Sequence, residues 1–384
     1  MSLTHDEAVE RARALAPNIA ARAREAEAMR RPHDDTIAEL IDADLMQILT
    51  PKRWGGHELS LDTHRAVVEI VSAACMSTGW VFAFYIGHSG VFATRFSEQA
   101  QNEFFADRPF VLAPATTSPT TRAERADGGW LVTGKVPWGT GIMHADWVII
   151  SGIGSDKQMY SFAMPVADVR VDDVWHMAGM AATGSNDIVL DNVFVPDHRV
   201  VSQRDVATGD SEGTRLFDNP IYHAPLLPFL YAQAMPVFSG ALRGAANSFE
   251  QITHRRVGTH GATVMKDNKY AHIMLGQSKI NAHMAERLVV DQIRQTEQLF
   301  GERFSVADRA RLKGSAAAIV EHCRTSVNEM AHSAGSSSFS HDVPLQRFFR
   351  DINMLATHAF WDWEVTREQV GRVALELPPT SPLV

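Results

Sequence analysis

Two histidines in this chain occupy places where an imidazole needs a reason to be. His358 lies among aromatic residues in Thr357-His358-Ala359-Phe360-Trp361-Asp362-Trp363, and His88 lies in an apolar stretch beside Gly87 and Gly90. An imidazole gives or takes a proton near neutral pH, which suits general acid–base chemistry. The plainer reading of either is a core histidine bonded to backbone, since a buried polar ring must be satisfied. With 17 histidines present, the residue type alone proves nothing. Two turns could serve a polar ligand. Gly139-Thr140-Gly141, just after Trp138, and Thr183-Gly184-Ser185 each set a hydroxyl beside main-chain N–H groups that glycine leaves accessible. Such groups can meet a phosphate or the edge of a heteroaromatic ring; an ordinary turn is the competing reading of both.

Other chemistries are not signalled. There is no GxGxxG fingerprint and no P-loop, so NAD(P)H is not expected to bind, and no Cys/His cluster has metal-site spacing. The net charge of −9 is spread along 384 residues, which argues against a nucleic-acid surface. Hydrophobic residues make up 45 % and charged residues 21 %, the mixture of a soluble globular protein. Only Cys75 and Cys323 are present, so a reducing compartment is expected. The charged, helix-like N-terminus lacks a signal-peptide core, and no run approaches the roughly 20 apolar residues of a membrane span. The expectation is a cytoplasmic protein.

The elements that must position these groups fall into three stretches. Residues 1–110 read as helical: strong helix formers run through 12–28, Thr36-Ile37-Ala38-Glu39 has the form of a capping box, and an apolar helix is expected across 67–92. Residues 111–210 change to short β-branched and aromatic runs, among them 130–138, 146–151, 158–164 and 187–196, separated by turn residues such as Gly128-Gly129. That spacing predicts an antiparallel barrel or sandwich. Residues 211–384 return to a helical period, with helices expected over 236–255, 269–300, 305–334 and 345–375, as in a bundle. Asp342 and Pro344 precede the last of these like an N-cap and first-turn proline.

Helices, a β domain and a helical bundle, in that order, resemble the acyl-CoA dehydrogenase fold: an α+β chain with an N-terminal α-helical domain, a middle antiparallel β-barrel domain and a C-terminal four-helix bundle. Local strings carry the resemblance: Leu49-Thr-Pro-Lys-Arg-Trp-Gly-Gly56, Thr133-Gly-Lys-Val-Pro-Trp-Gly-Thr-Gly141 with Ala145-Asp-Trp147, Gly179-Met-Ala-Ala-Thr-Gly-Ser-Asn-Asp187 and Val193-Phe-Val-Pro196. Acyl-CoA dehydrogenases carry an active-site glutamate near the C-terminus; this chain has Thr357-His358-Ala359-Phe360 there. Ser77-Thr-Gly-Trp80, Gly87-His88, Phe96-Ser-Glu-Gln-Ala-Gln101 and the spacing of Arg350-Asp351 to His358 resemble the oxygenase components of two-component flavin-dependent monooxygenases, the phenol and indole hydroxylases of this fold.

That resemblance implies reduced FMN or FAD (FMNH2 or FADH2) delivered by a separate NAD(P)H:flavin reductase, O2 as co-substrate, a flavin C4a-hydroperoxide, and oxygenation of a small aromatic substrate of the phenol or indole type. It implies His358 and His88 as catalytic residues. Trp138, Gly139, Thr140, Gly141, Thr183, Ser185 and Thr116 would meet the flavin, and Arg256 would reach a flavin pyrophosphate across subunits. A hydroperoxide survives only in a dry site, and Trp80, Tyr85, Phe360 and Trp361 could line the substrate side, with Phe82, Phe84, Phe92 and Trp363 further candidates; core packing is the competing reading of each. The chain departs from the pattern at Ala115-Thr116-Thr117, where serines are usual, and at Met180-Ala-Ala-Thr183, which lacks a usual arginine. Rival readings are an acyl-CoA dehydrogenase or oxidase, a nitrogen-oxidising member of the nitrososynthase or nitroalkane oxidase type, and a scaffold without turnover. Ile273, Leu275, Ile280, Met284, Leu288 and Val289 put apolar side chains on more than one helix face, from which a homotetramer is expected.

Overall fold

The computed structural model describes residues 3–255, 265–381 and 383. The N-terminal part holds α1 (His5–Met29), α2 (Asp34–Asp42), α3 (Leu61–Ala74), α4 (Met76–Arg95) and α5 (Glu98–Phe104). The middle part holds β1 (Thr121–Ala126), β2 (Gly129–Gly139), β3 (Trp147–Gly154), β4 (Met159–Pro165), β5 (Arg170–Asp172), β6 (Asn186–Pro196) and β7 (Val200–Ser202). After α6 (Gln203–Thr208) come the long α7 (Leu226–Arg255), α8 (Lys269–Glu297) and α9 (Val306–Ala334), then the shorter α10 (Pro344–Leu355) and α11 (Trp363–Ala374).

The strands make one sheet in the order β5-β6-β2-β1-β3-β4-β7. It departs from the expected antiparallel barrel in one pairing: β1 runs parallel to β3, with Thr121 opposite Gly152, and β5 and β7 remain as edges. Its apolar face gathers Trp130, Val132, Val136, Val148, Ile150, Phe162, Ile188 and Leu190 into a core of its own. The helices share a second, larger core in which α4 is central. Every residue of α4 except Phe84 is buried, so this helix is covered on all sides.

Several local expectations are corrected. The apolar helix expected over 67–92 is two helices, broken where Cys75 takes an extended conformation. Thr36 lies inside α2 rather than capping it; His33 is the N-cap and accepts from Asp35 N–H, while Glu39 pairs with Arg22. Asp342 pairs with Arg24, and Val343 is the residue before α10. Helix α7 begins ten residues before Pro236, which sits inside it. The helix expected over 345–375 is interrupted. Thr357 Oγ1 donates to Met354 O at 2.7 Å, Trp361 Nε1 donates to Leu355 O at 2.9 Å, and Asp362 accepts from Val365 N–H at 2.9 Å to start α11. Side chains that satisfy the free helix ends in this way compete with continuing the helix. His358 is therefore the N-cap of a short 3-10 turn, not a mid-helix residue.

Candidate active site

Trp80, Phe84 and His88 follow one another at intervals of four along α4, so their side chains line one face of the helix. Their rings touch in series: Phe84 lies 5.1 Å from His88 and 4.4 Å from Trp80, centroid to centroid. Trp80 in turn meets His358 at 6.3 Å and Trp361 at 5.9 Å. The turn after α10 supplies the far end, with His358 4.8 Å from Phe360 and 4.9 Å from Trp361. Opposite this row, Val206 of α6 and Leu226 and Leu230 of α7 pack on Phe84 and Phe360. The two sequence-predicted histidines are thus joined by aromatic groups from two distant parts of the chain.

Backbone partners distinguish the two imidazoles. His88 is buried, and its Nδ1 lies 2.8 Å from Ala113 O. A carbonyl can only accept, so Nδ1 carries the hydrogen and Nε2 is left as an acceptor. His358 has the opposite arrangement: its Nδ1 accepts from Phe360 N–H at 3.3 Å, so in the neutral ring Nε2 carries the hydrogen and donates. Burial pushes each imidazole down to about 4, outweighing at His88 the opposing pull of the Ala113 carbonyl. Both rings are neutral at pH 7, one offering an acceptor edge and the other a donor edge.

The two predicted turns come together beside α4. Thr140 Oγ1 lies 3.0 Å from Ser185 Oγ, which lies 2.7 Å from Thr183 Oγ1, and Gly141 N–H donates to Thr183 O at 3.2 Å. Tyr85 donates its phenolic hydrogen to Gly141 O. Gly141 has φ +78°, and a Cβ there would lie 2.8 Å from Tyr85 Cε1, so both conformation and space require glycine. Trp138 also adopts a positive φ, 65°, with its ring 64 % exposed. A bulky residue in this region is strained, and such strain concentrates at ligand sites. The second turn is held from behind. Asp351 accepts from Met180 N–H at 2.6 Å and from Ser77 Oγ at 3.3 Å, and Arg350 donates to Ala178 O at 2.6 Å. Burial raises the Asp351 carboxyl to about 6 despite that N–H and the nearby Arg347.

The remaining sequence candidates are placed as follows. Thr116 joins the loop after Ala113 to β3, its N–H donating to Ile149 O at 3.0 Å and its carbonyl accepting from Ser151 Oγ at 2.6 Å. Its hydroxyl is 3.5 Å from Ser151 N, a marginal contact. Tyr85 faces the Gly141 turn and is rotated about 60° around α4 from His88 and about 100° from Phe84. Phe82 and Phe92 are fully buried core residues. Arg256 lies outside the described residues. Sequence reasoning missed Asp351 as the anchor of the 180–185 turn, the Ala113 carbonyl that sets the His88 tautomer, and the α7 wall. The signal for the last was an apolar run, Leu226 to Leu230, ahead of Pro236.

A flat ring system with a polar edge fits this donor set: a hydroxyl cluster and a strained, exposed indole at one end, a row of rings and two neutral imidazoles at the other. Family models described as acyl-CoA dehydrogenase, N-terminal domain, and acyl-CoA dehydrogenase, C-terminal domain, match residues 2–107 and 231–363. The chain is 39 % identical to a pigment production hydroxylase of Rhodococcus sp. (strain ATCC 21145), covering 100 % of both chains. It is 28 % identical to a flavin-dependent monooxygenase, oxygenase subunit HsaA, of Rhodococcus jostii, over 98 % of this chain and 100 % of that one. Among solved structures, XiaF from Streptomyces sp. in complex with FADH2 and glycerol superimposes with a TM-score of 0.88 at 29 % identity, covering 98 % of this chain and 97 % of that one.

Proposed function

The chain belongs to the acyl-CoA dehydrogenase family, as a flavin-dependent monooxygenase within it, and on that premise we propose that it is the oxygenase component of a two-component system that hydroxylates a small aromatic ring. Reduced flavin, when bound, supplies the electrons with which O2 is split between the substrate ring and water. The 138–141 and 183–185 turns hold its polar edge through their hydroxyls and main chain. A separate NAD(P)H:flavin reductase delivers it, in keeping with a chain that has no dinucleotide fingerprint.

The observation that carries the reading is the pair of neutral imidazoles at the ends of a dry aromatic row. Trp80, Phe84, Phe360 and Trp361 keep water from the ring. His88 Nε2 is placed to accept a proton or hydrogen bond, and His358 Nε2–H to donate one. Among the described residues, neither ring is paired with a carboxylate. Ala359, Ala234 and Met235 occupy the positions that resemble those of a dehydrogenase glutamate, and Glu250 is paired outward with Lys279 at 2.6 Å. Removal of an α-proton from a thioester therefore has no base here. Anaerobic binding of reduced flavin, followed by O2 and a phenol or indole, tests the reading through the hydroxylated product.

The active unit is a homotetramer in this proposal. On α8, Tyr270, Ile273, Ile280, Met284 and Leu288 are exposed while Val289 and Ala285 of the same helix are buried, leaving an apolar stripe that symmetric packing would cover. Among the described residues, no helix is long and apolar enough to cross a membrane.

A further inference from the structure

The hydroxyls of Thr140, Ser185 and Thr183 pass their hydrogens in one direction only. The direction is set at Met180, a non-glycine residue held in the left-handed region at φ +52°. Its backbone is gripped on both sides. The N–H donates to Asp351, and the carbonyl accepts from Trp175 Nε1 at 3.0 Å, Thr183 N–H at 3.1 Å and Thr183 Oγ1 at 2.9 Å. A carbonyl has no hydrogen to give and a hydroxyl has one, so the Thr183 hydrogen is committed to Met180 O. Across the 2.7 Å between Ser185 Oγ and Thr183 Oγ1, Ser185 must then be the donor. Across the 3.0 Å between Thr140 Oγ1 and Ser185 Oγ, Thr140 must be. Thr183 and Ser185 are buried, whereas Thr140 is half-buried at the outer end, two residues after the exposed Trp138. Its hydrogen is drawn inward, and only its lone pairs are left for a ligand.

We propose that Thr183 and Ser185 are specificity-determining residues for the redox state of the flavin: they hold Thr140 as a pure acceptor, which takes an N–H from the polar edge of the ring and so favours the reduced cofactor; this rests on the monooxygenase reading above. The two redox states differ at that edge. The reduced ring carries a hydrogen on N5, whereas N5 of the oxidised ring is itself an acceptor. An acceptor-only hydroxyl bonds the first and meets the second lone pair to lone pair. A threonine free to rotate would serve both states, accepting from one and donating to the other. The buried relay removes that freedom. Thr183 and Ser185 act in this way through Thr140, without themselves touching the ring.

The test is equilibrium binding of reduced and oxidised FAD and FMN to the full chain under argon, with the midpoint potential of the bound flavin, in the wild type, Thr183→Val, Ser185→Ala and Thr183→Ser. Wild type should bind the reduced flavin more tightly. Thr183→Val frees Ser185 to donate to Thr140, and Ser185→Ala removes the inward acceptor, so in both the Thr140 hydrogen turns outward. Each should lose roughly tenfold of the preference, chiefly by binding oxidised flavin better. The bound potential should fall with it by about 30 mV for a tenfold loss in a two-electron couple. Thr183→Ser keeps the hydroxyl and should keep the preference. Met180 O retains two donors in Thr183→Val, and Ser185→Ala gives the same readout if that variant does not fold. A reduced-to-oxidised ratio unchanged in either folded variant, or equal loss of both affinities, overturns the proposal and leaves the hydroxyls to packing. Equal binding of the two redox states by the wild type overturns this inference alone; failure to bind reduced FAD or FMN overturns the monooxygenase reading with it.

Discussion

His88 and His358 stand at opposite ends of one aromatic row, 270 positions apart in sequence, and the backbone fixes them in opposite tautomers: Ala113 O takes the Nδ1 hydrogen of His88, and Phe360 N–H donates to Nδ1 of His358. One ring thus offers an acceptor edge and the other a donor edge, both held neutral by burial. Four expected outcomes follow from this arrangement and its supports.

His358→Asn keeps an oxygen able to cap Phe360 N–H but removes the imidazole. Reduced-flavin affinity should be unchanged, while product formation falls by roughly 10²–10⁴-fold and O2 is diverted to H2O2. Loss of flavin affinity with normal coupling would make the histidine a cofactor contact instead. Rapid-mixing product assays beside flavin titrations separate the two.

Gly141→Ala places a Cβ against Tyr85 at a φ of +78°. The expected cost is about 1–3 kcal/mol of local strain, read as weaker reduced-flavin binding. Tyr85→Phe, which removes only the hydrogen bond to Gly141 O, should weaken binding less. Equal or tighter flavin binding by Gly141→Ala would show that this turn does not contact the cofactor.

Acidification should destabilise the fold. His64, His88 and His358 are each held at about 4 by burial, below the ordinary 6.5. Between those values the unfolded chain binds more protons than the folded one, so stability rises with pH across the window and is lost as pH falls from 6.5 toward 4. Asp351, raised from 3.8 to about 6, opposes this between those two values. His57 and His144 are lowered by burial as well, and Glu69 and Glu297 are raised with Asp351, so five histidines stand against three carboxyls and the melting temperature should drop from pH 7 to pH 5. A flat or rising profile would contradict the burial of these rings, and Asp351→Asn should make the drop steeper.

Sedimentation at micromolar concentration should show a tetramer. Replacing Ile280 and Met284, both exposed on α8, by glutamate should dissociate it without unfolding the subunit. A monodisperse wild-type monomer would refute the assembly.

Much of this was legible in the sequence, and the failures have physical causes. The 138–141 and 183–185 turns could be picked out separately because glycine beside hydroxyl residues leaves main-chain N–H groups accessible, as an ordinary turn also does; their meeting at Thr140 and Ser185 depends on β2 pairing with β6. The parallel β1–β3 pairing is likewise long-range and leaves no local trace. The break at His358 was hidden because Met354 to Trp363 keeps a helical apolar period, and the side-chain bonds of Thr357, Trp361 and Asp362 override it. The first ten residues of α7 are hidden because Pro236 has the form of a helix start, although a proline can sit inside a helix that packing sustains.

The most direct test of the central claim is to load the protein with reduced FAD or FMN under argon and mix it with oxygenated buffer and a phenol. The expected result is a ring-hydroxylated product formed at the expense of the supplied reduced flavin, with no oxidation of NADH by the protein alone. The contradicting result is no hydroxylated product, together with either unaided NADH oxidation or bleaching of bound oxidised flavin by an acyl-CoA thioester.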